Sequence, residues 1–242
     1  MHRFFIRHKL DENDITHLSD SDSIFVIEKL HLAVEDFIEV ETYDTILLAR
    51  ITNVNGKSVE VEILERIEEK KGKDEIGLTL IQSLIGNNKF RFVIEKSVEI
   101  GVDRIIPIQS QYSHIKKNKA VREYELWKEI VKDATEQSRN IKPTIIEKPI
   151  SIHKLEVEKN SNKLCLATEN VDTFSLREYL ESIDIKKPII LAIGPEKGWN
   201  SRDLEILKEK GFKFIKLEGN ILRTETTGLV VSSIIQYLRG KI

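Results

Sequence analysis

The sequence predicts an α/β protein in which a parallel sheet covered by helices on both faces follows a smaller β-rich region. Short segments that alternate apolar and polar residues occupy residues 1–70, a pattern typical of half-buried strands. After a charge-dense linker at 65–75, apolar segments alternate with helical patterns, which is the order of a parallel sheet with helical crossovers. We therefore predict two domains, residues 1–70 and residues 71–242.

The β-rich domain is predicted to be a small barrel or sandwich. Asn55 and Gly56 both tolerate a positive φ, so they predict a hairpin turn between two of its strands. The predicted strands are Ser23–Ile27, Phe37–Thr42, Thr45–Ile51 and Ser58–Leu64.

The α/β domain is predicted to alternate five strands with five helices. The strands are Phe90–Ile94, Arg104–Ile108, Lys163–Ala167, Pro188–Ile193 and Phe212–Leu217, and the helices are Glu95–Ile100, Ala120–Ser138, Leu176–Ile183, Ser201–Lys210 and Glu225–Arg239. Gly101 is expected to end the first of these helices, because glycine readily adopts the left-handed conformation of a helix C-terminus. One buried face is predicted along the longest helix, formed by Val121, Tyr124, Trp127, Val131 and Ala134.

Composition argues against several classes of function. No apolar segment approaches the ~20 residues of a membrane helix, and the apolar segment at the N-terminus is too short for a signal peptide, so we predict a cytoplasmic protein. The single cysteine, Cys165, is predicted to be a core residue, and neither it nor the scattered histidines predict a metal site. The net charge of -2 is unusual for a nucleic-acid-binding protein, although a local basic patch is sufficient.

Basic residues form two clusters that are candidates for RNA contact. One cluster contains Arg3, Arg7 and Lys9, and the other contains Lys116 and Lys117 followed by Lys119 and Arg122. Lys96 and Arg139 are further candidates for RNA contact. The alternative interpretation is that these are ordinary solvated surfaces.

The loop after the predicted strand Pro188–Ile193 contains more glycine, proline and charged residues than an ordinary turn requires. It reads IGPEKGWN over Ile193–Asn200, and Gly194 and Gly198 allow tight bends and a close approach to the backbone. Asn200 is predicted to cap the next helix, with Trp199 and Leu204 forming a hydrophobic staple. No phosphate-binding glycine pattern is present, so a phosphate cradle is disfavoured, and a plain strand–turn–helix connection is the alternative.

A second loop reads LEGNILRTETTG over Leu217–Gly228 and places Arg223 before Thr224, the predicted N-cap of the last helix. The helix dipole does not favour a cation there, and an anionic partner such as an RNA phosphate would relieve this. An ion pair between Arg223 and a nearby glutamate is the alternative. Ile221 and Leu222 are apolar and suited to covering an aromatic ring.

These two loops resemble the motifs of the RsmE family, S-adenosylmethionine-dependent methyltransferases of the SPOUT superfamily. The similar segments are Ile193-Gly-Pro-Glu-x-Gly198 and Leu217-x-x-x-Ile-Leu-Arg-Thr-Glu-Thr226, and similarity extends over most of the chain. The resemblance implies methylation of N3 of a uridine in small-subunit (16S) ribosomal RNA by a homodimer. It also implies a SPOUT-type α/β domain with a C-terminal deep trefoil knot, preceded by a PUA-like β-barrel proposed to bind RNA.

The resemblance further implies that backbone groups of the knot hold the cofactor. The residues at those positions are Thr168, Glu169, Ile193, Gly194, Pro195, Gly198, Leu217, Gly219, Asn220, Ile221 and Leu222. Methyl transfer is an in-line displacement that depends on alignment. Arg223 is a candidate to stabilise the uracil oxyanion, and Glu225 or Glu196 is a candidate to accept the N3 proton.

The sequence departs from the family pattern at three positions near the predicted cofactor cleft. Lys197 and Glu218 replace glycine, and Asn220 replaces arginine. One alternative is therefore an RNA-binding homologue whose catalysis is impaired or directed at another position. A second alternative is a small-molecule α/β enzyme, favoured only by the net acidity; RNA binding that weakens steeply with salt would argue against it.

Overall fold

The computed structural model describes residues 1–6, 8–42, 45–69, 77–138, 140, 142–168 and 172–242. The chain divides into two compact units. The first comprises Met1–Lys73 with Arg139–Lys142, and the second comprises Asp74–Ser138 with Pro143–Ile242.

The first unit is built on a five-stranded sheet with the strand order β1-β3-β4-β5-β2. The strands are β1 (Arg3–Phe5), β2 (Ile15–His17), β3 (Phe37–Glu41), β4 (Thr45–Asn55) and β5 (Ser58–Glu69). The hairpin predicted at Asn55 and Gly56 joins β4 to β5, and Gly56 has the positive φ of +60° that the turn requires.

The strand predicted at Ser23–Ile27 is wrong, because this segment is helical. It forms α1 (Asp20–Phe25), followed by a π-helix at Val26–Leu30. The Ser19 hydroxyl accepts a hydrogen bond from the Asp22 N–H (3.1 Å), and acidic residues in the first turn favour the helix dipole. The cap and the acidic first turn outweigh the strand propensity of the apolar residues that follow.

The second unit is the predicted α/β fold. Its strands are β6 (Leu78–Ser83), β7 (Arg104–Gln109), β8 (Ile145–Ile146), β9 (Ile150–Ser151), β10 (Asn162–Leu166), β11 (Phe174–Ser175), β12 (Ile189–Ile193) and β13 (Lys213–Lys216). They form one sheet in the order β11-β13-β10-β12-β6-β7-β8, with β9 also beside β7, and every strand pair among the described residues is parallel.

Helices cover both faces of this sheet, as the sequence predicted. They are α2 (Asn87–Ile100), α3 (Lys117–Arg122), α4 (Tyr124–Gln137), α5 (Leu176–Ser182), α6 (Ser201–Glu209) and α7 (Thr224–Leu238), with a 3₁₀-helix at Ile152–Lys154. Successive residues of the central strand β12 belong to opposite cores: Leu191 packs in the cluster that includes α2, α4 and α7, and Ala192 packs in the cluster that includes α6. The two layers rigidly support the strand ends.

Two further predictions about elements are wrong. Phe90–Ile94 is not a strand but part of α2, because Phe90, Val93 and Ile94 are buried at helical spacing. The predicted helix Ala120–Ser138 divides at Glu123 into α3 and α4, and Val121 is 47% exposed, so it does not belong to the buried face. The predicted helix end at Gly101 is confirmed, with a φ of +81°.

Candidate active site

A cleft of about 320 Å³ lies at the carboxyl edge of the parallel sheet. Because parallel strands all end at one edge, the loops after β10, β12 and β13 meet there. The volume is in the range of ordinary small-molecule sites. The cleft is lined by ten of the eleven residues predicted to hold the cofactor: Thr168, Ile193, Gly194, Pro195, Gly198, Leu217, Gly219, Asn220, Ile221 and Leu222. Glu169 lies outside the described residues.

Several wall residues were missed by the sequence interpretation. Leu166 and Ala167 at the end of β10, together with Ile215 of β13, contribute apolar wall, and Trp199 contributes its indole. Three of these residues lie at the ends of strands, and Trp199 belongs to the predicted hydrophobic staple of α6. Their local sequence pattern therefore predicts a packing role and not a place in a binding site. Only the meeting of the strand ends makes them part of a cleft.

Gly194 is closely packed on the side where its Cβ atom would lie. A Cβ atom at this position would lie 3.1 Å from both Cε2 and Nε1 of Trp199. Trp199 is buried, and its Nε1 donates a hydrogen bond to the Leu166 carbonyl at 2.9 Å. The space that glycine leaves on this side is therefore filled by the indole and not by a ligand. The Gly194 backbone still lines the cleft.

The second loop presents its backbone to the cleft. Gly219 has a φ of +106°, which favours glycine, and among the described residues no atom beyond its chain neighbours lies within 4 Å of its Cβ position. In the part of the chain that the structure describes, none of the backbone N–H groups of residues 217–222 donates to a backbone carbonyl. Ile221 is 91% exposed. The loop thus offers amide donors and an uncovered apolar side chain beside the cleft.

The start of α7 is tied to the first loop. Thr224 was predicted to be the N-cap, but Arg223 occupies that position and Thr224 begins the helix. The Thr224 hydroxyl donates to the Gly194 carbonyl and accepts from Nε2 of the buried Gln82 (3.2 Å). The Thr224 side chain therefore does not cap α7. Its hydroxyl instead links the start of α7 to the loop after β12 and to β6.

Arg223 lines the cleft and its side chain is exposed. Among the described residues, no carboxylate lies within 4 Å of its guanidinium, so the alternative of an ion pair with a nearby glutamate is not supported. An unpaired guanidinium at a helix N-terminus is available to an anion or to developing negative charge.

The two candidate bases share a lysine that the sequence interpretation missed. Lys89 Nζ donates to Glu196 Oε1 at 3.2 Å and lies 3.5 Å from Glu225 Oε1. The hydrogen bond to Glu196 raises the pKa of Lys89 above its ordinary value, so the ammonium is charged at neutral pH. Glu196 lines the cleft, whereas Glu225 is not among the residues that line it. The sequence offers one signal for this contact: a lysine in the first turn of a helix is disfavoured by the helix dipole unless carboxylates lie nearby.

The predicted RNA-binding residues that the structure describes are divided between the two units. Arg3 on β1 is paired with Glu39 (2.6 Å), and Lys9 is exposed in the same unit. Lys96 lies on the second unit's α2 and donates to Glu95 and Glu99, which raise its pKa. Lys116 and Lys117 lie together at the start of α3, at the carboxyl edge. Arg7 and Arg139 lie outside the described residues.

The described residues lack two other kinds of feature. No helix there is long and apolar enough to cross a membrane. No group of three or more His, Cys, Asp or Glu side chains there is arranged to hold a metal ion.

The profile of a family described as RNA methyltransferase domain matches residues 72–236. Ribosomal RNA small subunit methyltransferase E of Aquifex aeolicus is 31% identical over 192 residues, covering 78% of this chain and 80% of that protein. The protein of the same name from Rickettsia conorii is 30% identical over 239 residues, covering 98% and 95%.

Solved structures agree with these relatives. Ribosomal RNA small subunit methyltransferase E from Neisseria gonorrhoeae, bound to S-adenosyl methionine, aligns with a TM-score of 0.75 at 27% identity and covers 98% of each chain. A probable rRNA-methyltransferase from Porphyromonas gingivalis aligns with a TM-score of 0.77 at 22% identity, which supports the fold alone. The α/β sheet is of the SPOUT type, and the chain belongs to the RsmE family of RNA methyltransferases.

Proposed function

We propose that this protein transfers a methyl group from S-adenosylmethionine to N3 of a uridine in 16S ribosomal RNA. The observation that carries the proposal is that the two motif loops, far apart from β10 in the chain, form one cleft with the end of β10. The relative from Neisseria gonorrhoeae, 27% identical over 98% of this chain, is bound to S-adenosyl methionine.

The residues of the cleft fit this cofactor. The apolar walls from Leu166, Ile215 and Leu222 suit the faces of an adenine ring. The amides of residues 217–222, which donate to no backbone carbonyl among the described residues, suit its edge nitrogens. Glu196 places a carboxylate at the wall, which suits a cationic ligand. When bound, the cofactor supplies an electrophilic methyl group on its sulfonium.

The protein's own part in the reaction is to align the uracil, to accept its N3 proton and to stabilise the negative charge that develops on it. Removal of the N3 proton leaves negative charge on the uracil oxygens. The guanidinium of Arg223, which has no carboxylate partner among the described residues, is suited to stabilise this charge. Glu225 or Glu196 is proposed to accept the proton: Glu196 lines the cleft, and Glu225 lies two residues after Arg223 in the first turn of α7.

The departures from the family pattern do not close the cleft. Lys197 and Glu218 are exposed, and neither is among the residues that line it. Asn220 does line it and is compatible with a polar ligand. An active enzyme is therefore favoured over a homologue with impaired or retargeted catalysis.

The C-terminal loops are proposed to form a deep trefoil knot within a domain of residues 71–242. Strand β13 lies outside β10, whereas α7, which follows it, packs against β12 and β6. The chain from Leu217 to Arg223 must therefore return past the ends of β10 and β12, which supports the proposal.

For residues 1–70 we propose a PUA-like barrel that binds RNA, and the five-stranded sheet of the first unit supports it.

The enzyme is proposed to act as a homodimer through α7. Val231 and Ile235 of this helix are fully buried in the core of the second unit. Val230 and Ile234 are more than a third exposed, and Leu238 is half exposed, at spacings that place them on one face. A second copy of the chain would cover this apolar face. A ribosomal RNA substrate also supports a cytoplasmic location.

RNA is proposed to contact α3 at the carboxyl edge. Among the described residues, none of its four cationic side chains has a carboxylate partner within 4 Å; these are Lys116, which precedes the helix, Lys117, Lys119 and Arg122. The combined change Lys116→Glu and Lys119→Glu is expected to weaken binding of every RNA sequence alike and to reduce the slope of log affinity against log salt by about 2.

Fluorescence anisotropy with a fragment of 16S ribosomal RNA over a series of salt concentrations measures this slope. Lys186→Glu is the control, because Lys186 is an exposed lysine three residues before β12 begins, at the opposite edge of the sheet. An unchanged slope in the double variant, or an equal loss in the control, would show that α3 is not the RNA surface.

The function is tested by incubating the protein with methyl-labelled S-adenosylmethionine and either small ribosomal subunits or naked 16S ribosomal RNA. The RNA is then digested to nucleosides and analysed by mass spectrometry. Labelled N3-methyluridine is the expected product. Label on another nucleoside would indicate a retargeted enzyme, and RNA binding without label would indicate an inactive homologue. Absence of both RNA binding and label would favour a small-molecule enzyme.

A further inference from the structure

The Lys89 ammonium, which is not among the groups that line the cleft, contacts both loops that form it. Lys89 Nζ contacts Glu196 in the loop after β12 and Glu225 in the first turn of α7. Lys89 itself does not line the cleft. Its contacts therefore act on the site only through the two glutamates and the segments that carry them.

The position of Lys89 is rigid and electrostatically unusual. The next residue, Phe90, is fully buried and lies against Trp127 with ring centroids 4.6 Å apart, so the first turn of α2 is held firmly in the core. This turn has no acidic residue and no side-chain cap, and a cation there opposes the helix dipole. The two glutamates offset this unfavourable placement.

Glu225 depends on the lysine more than Glu196 does. Only 12% of the Glu225 side chain is exposed, and its Oε2 is buried without a hydrogen-bond partner among the described residues. A largely buried carboxylate that loses the one cation paired with it among the described residues is strongly unfavourable, and two carboxylates left together repel each other. Removing the ammonium would therefore push the start of α7 away from the loop after β12.

We propose that Lys89 is a positioning residue for methyl transfer. Its ammonium holds both Glu196 and Glu225, and so keeps the loop after β12 next to the start of α7. Because Arg223 lies at that helix start, Lys89 also keeps Arg223 at the cleft. Arg223 directly precedes the helix that Glu225 anchors. The catalytic part of this inference rests on the proposed methyltransferase function, whereas the positional part concerns the cofactor-free protein.

The positional part is tested by hydrogen–deuterium exchange of the cofactor-free protein. In Lys89→Met, amides of residues 194–198 and 223–227 are expected to exchange about tenfold faster, because the two segments open locally. Lys89→Arg retains the charge and is expected to restore slow exchange. Lys128→Met is the matched control, since Lys128 is also paired with a glutamate, Glu125, on a helix of the same unit but away from the cleft.

The catalytic part is tested on the same variants by single-turnover methyl transfer at saturating S-adenosylmethionine. A displacement of reacting groups by about 1 Å can cost about 100-fold, so Lys89→Met is expected to lose between about 10-fold and 100-fold in rate, with the midpoint of thermal unfolding little changed. Lys89→Arg is expected to recover most of the rate, and Lys128→Met is expected to keep all of it.

Three results would separate the possibilities. If the wild-type protein methylates RNA but Lys89→Met matches Lys128→Met in exchange and rate, the inference is overturned. Faster exchange throughout the second unit would also overturn it, because Lys89 would then act on general stability. If the wild-type protein transfers no methyl group while the local exchange still increases, the proposed function fails and the positional role of Lys89 stands.

Discussion

Replacing Arg223 with alanine is expected to lower the rate of methyl transfer by a factor of about 10² to 10³ while leaving the affinity for S-adenosylmethionine within about threefold. The guanidinium is exposed at the cleft and has no carboxylate partner among the described residues, so it is available for charge that develops on the uracil. A group that acts mainly in the transition state affects the rate and leaves cofactor binding largely intact.

Single-turnover rates and calorimetric titration of the same preparation check this prediction. Arg202→Ala is the matched control, because Arg202 is an exposed arginine in the first turn of α6, the helix that precedes α7 along the chain, and does not line the cleft. If Arg223→Ala loses cofactor affinity and rate to the same extent, Arg223 holds the cofactor and the proposed stabilisation of the uracil is wrong.

Replacing Gly194 with valine is expected to weaken S-adenosylmethionine binding by at least about tenfold. The Cβ atom would lie 3.1 Å from the Trp199 indole, whose hydrogen bond to the Leu166 carbonyl holds the cleft wall. Overpacking of this kind costs about 1–3 kcal/mol in folding free energy, so the indole is displaced or the loop moves. Both responses change the wall against which the cofactor is proposed to bind.

Calorimetric titration measures the affinity, and urea denaturation measures the free energy of unfolding. Gly86→Val is the control, because Gly86 has a φ of -52° and no atom lies within 4 Å of its Cβ position. Gly86→Val should therefore bind like the wild type. Unchanged binding by a well-folded Gly194→Val protein would mean that the cofactor binds elsewhere.

Local patterns were sufficient for much of the α/β unit. Repeated strand and helix signals predicted a parallel sheet covered on both faces, and all described strand pairs of that unit are parallel. Asn200 was predicted to cap α6, and its side chain accepts from the Asp203 N–H at 2.7 Å. These features depend on neighbouring residues in the chain, so the sequence shows them directly.

The errors arose where two local signals competed. Phe90–Ile94 is rich in residues that favour strands, yet the same residues recur at helical spacing and face a core that the second unit supplies. At Ser23–Ile27 the apolar residues favour a strand, but the cap and the acidic first turn of α1 start a helix there. Propensity is a weak predictor when tertiary packing favours the other period.

The sequence by itself determined the fold class, the family and the two loops that form the cleft, because these follow from local periodicity and from motifs that are contiguous in the chain. Only the tertiary structure decided that Trp199 occupies the space beside Gly194, that α7 has one buried and one uncovered face, and that Lys89 contacts Glu196 from 107 residues away. Such contacts join residues that no local pattern relates. They exist because the parallel strands bring distant loops to one edge of the sheet.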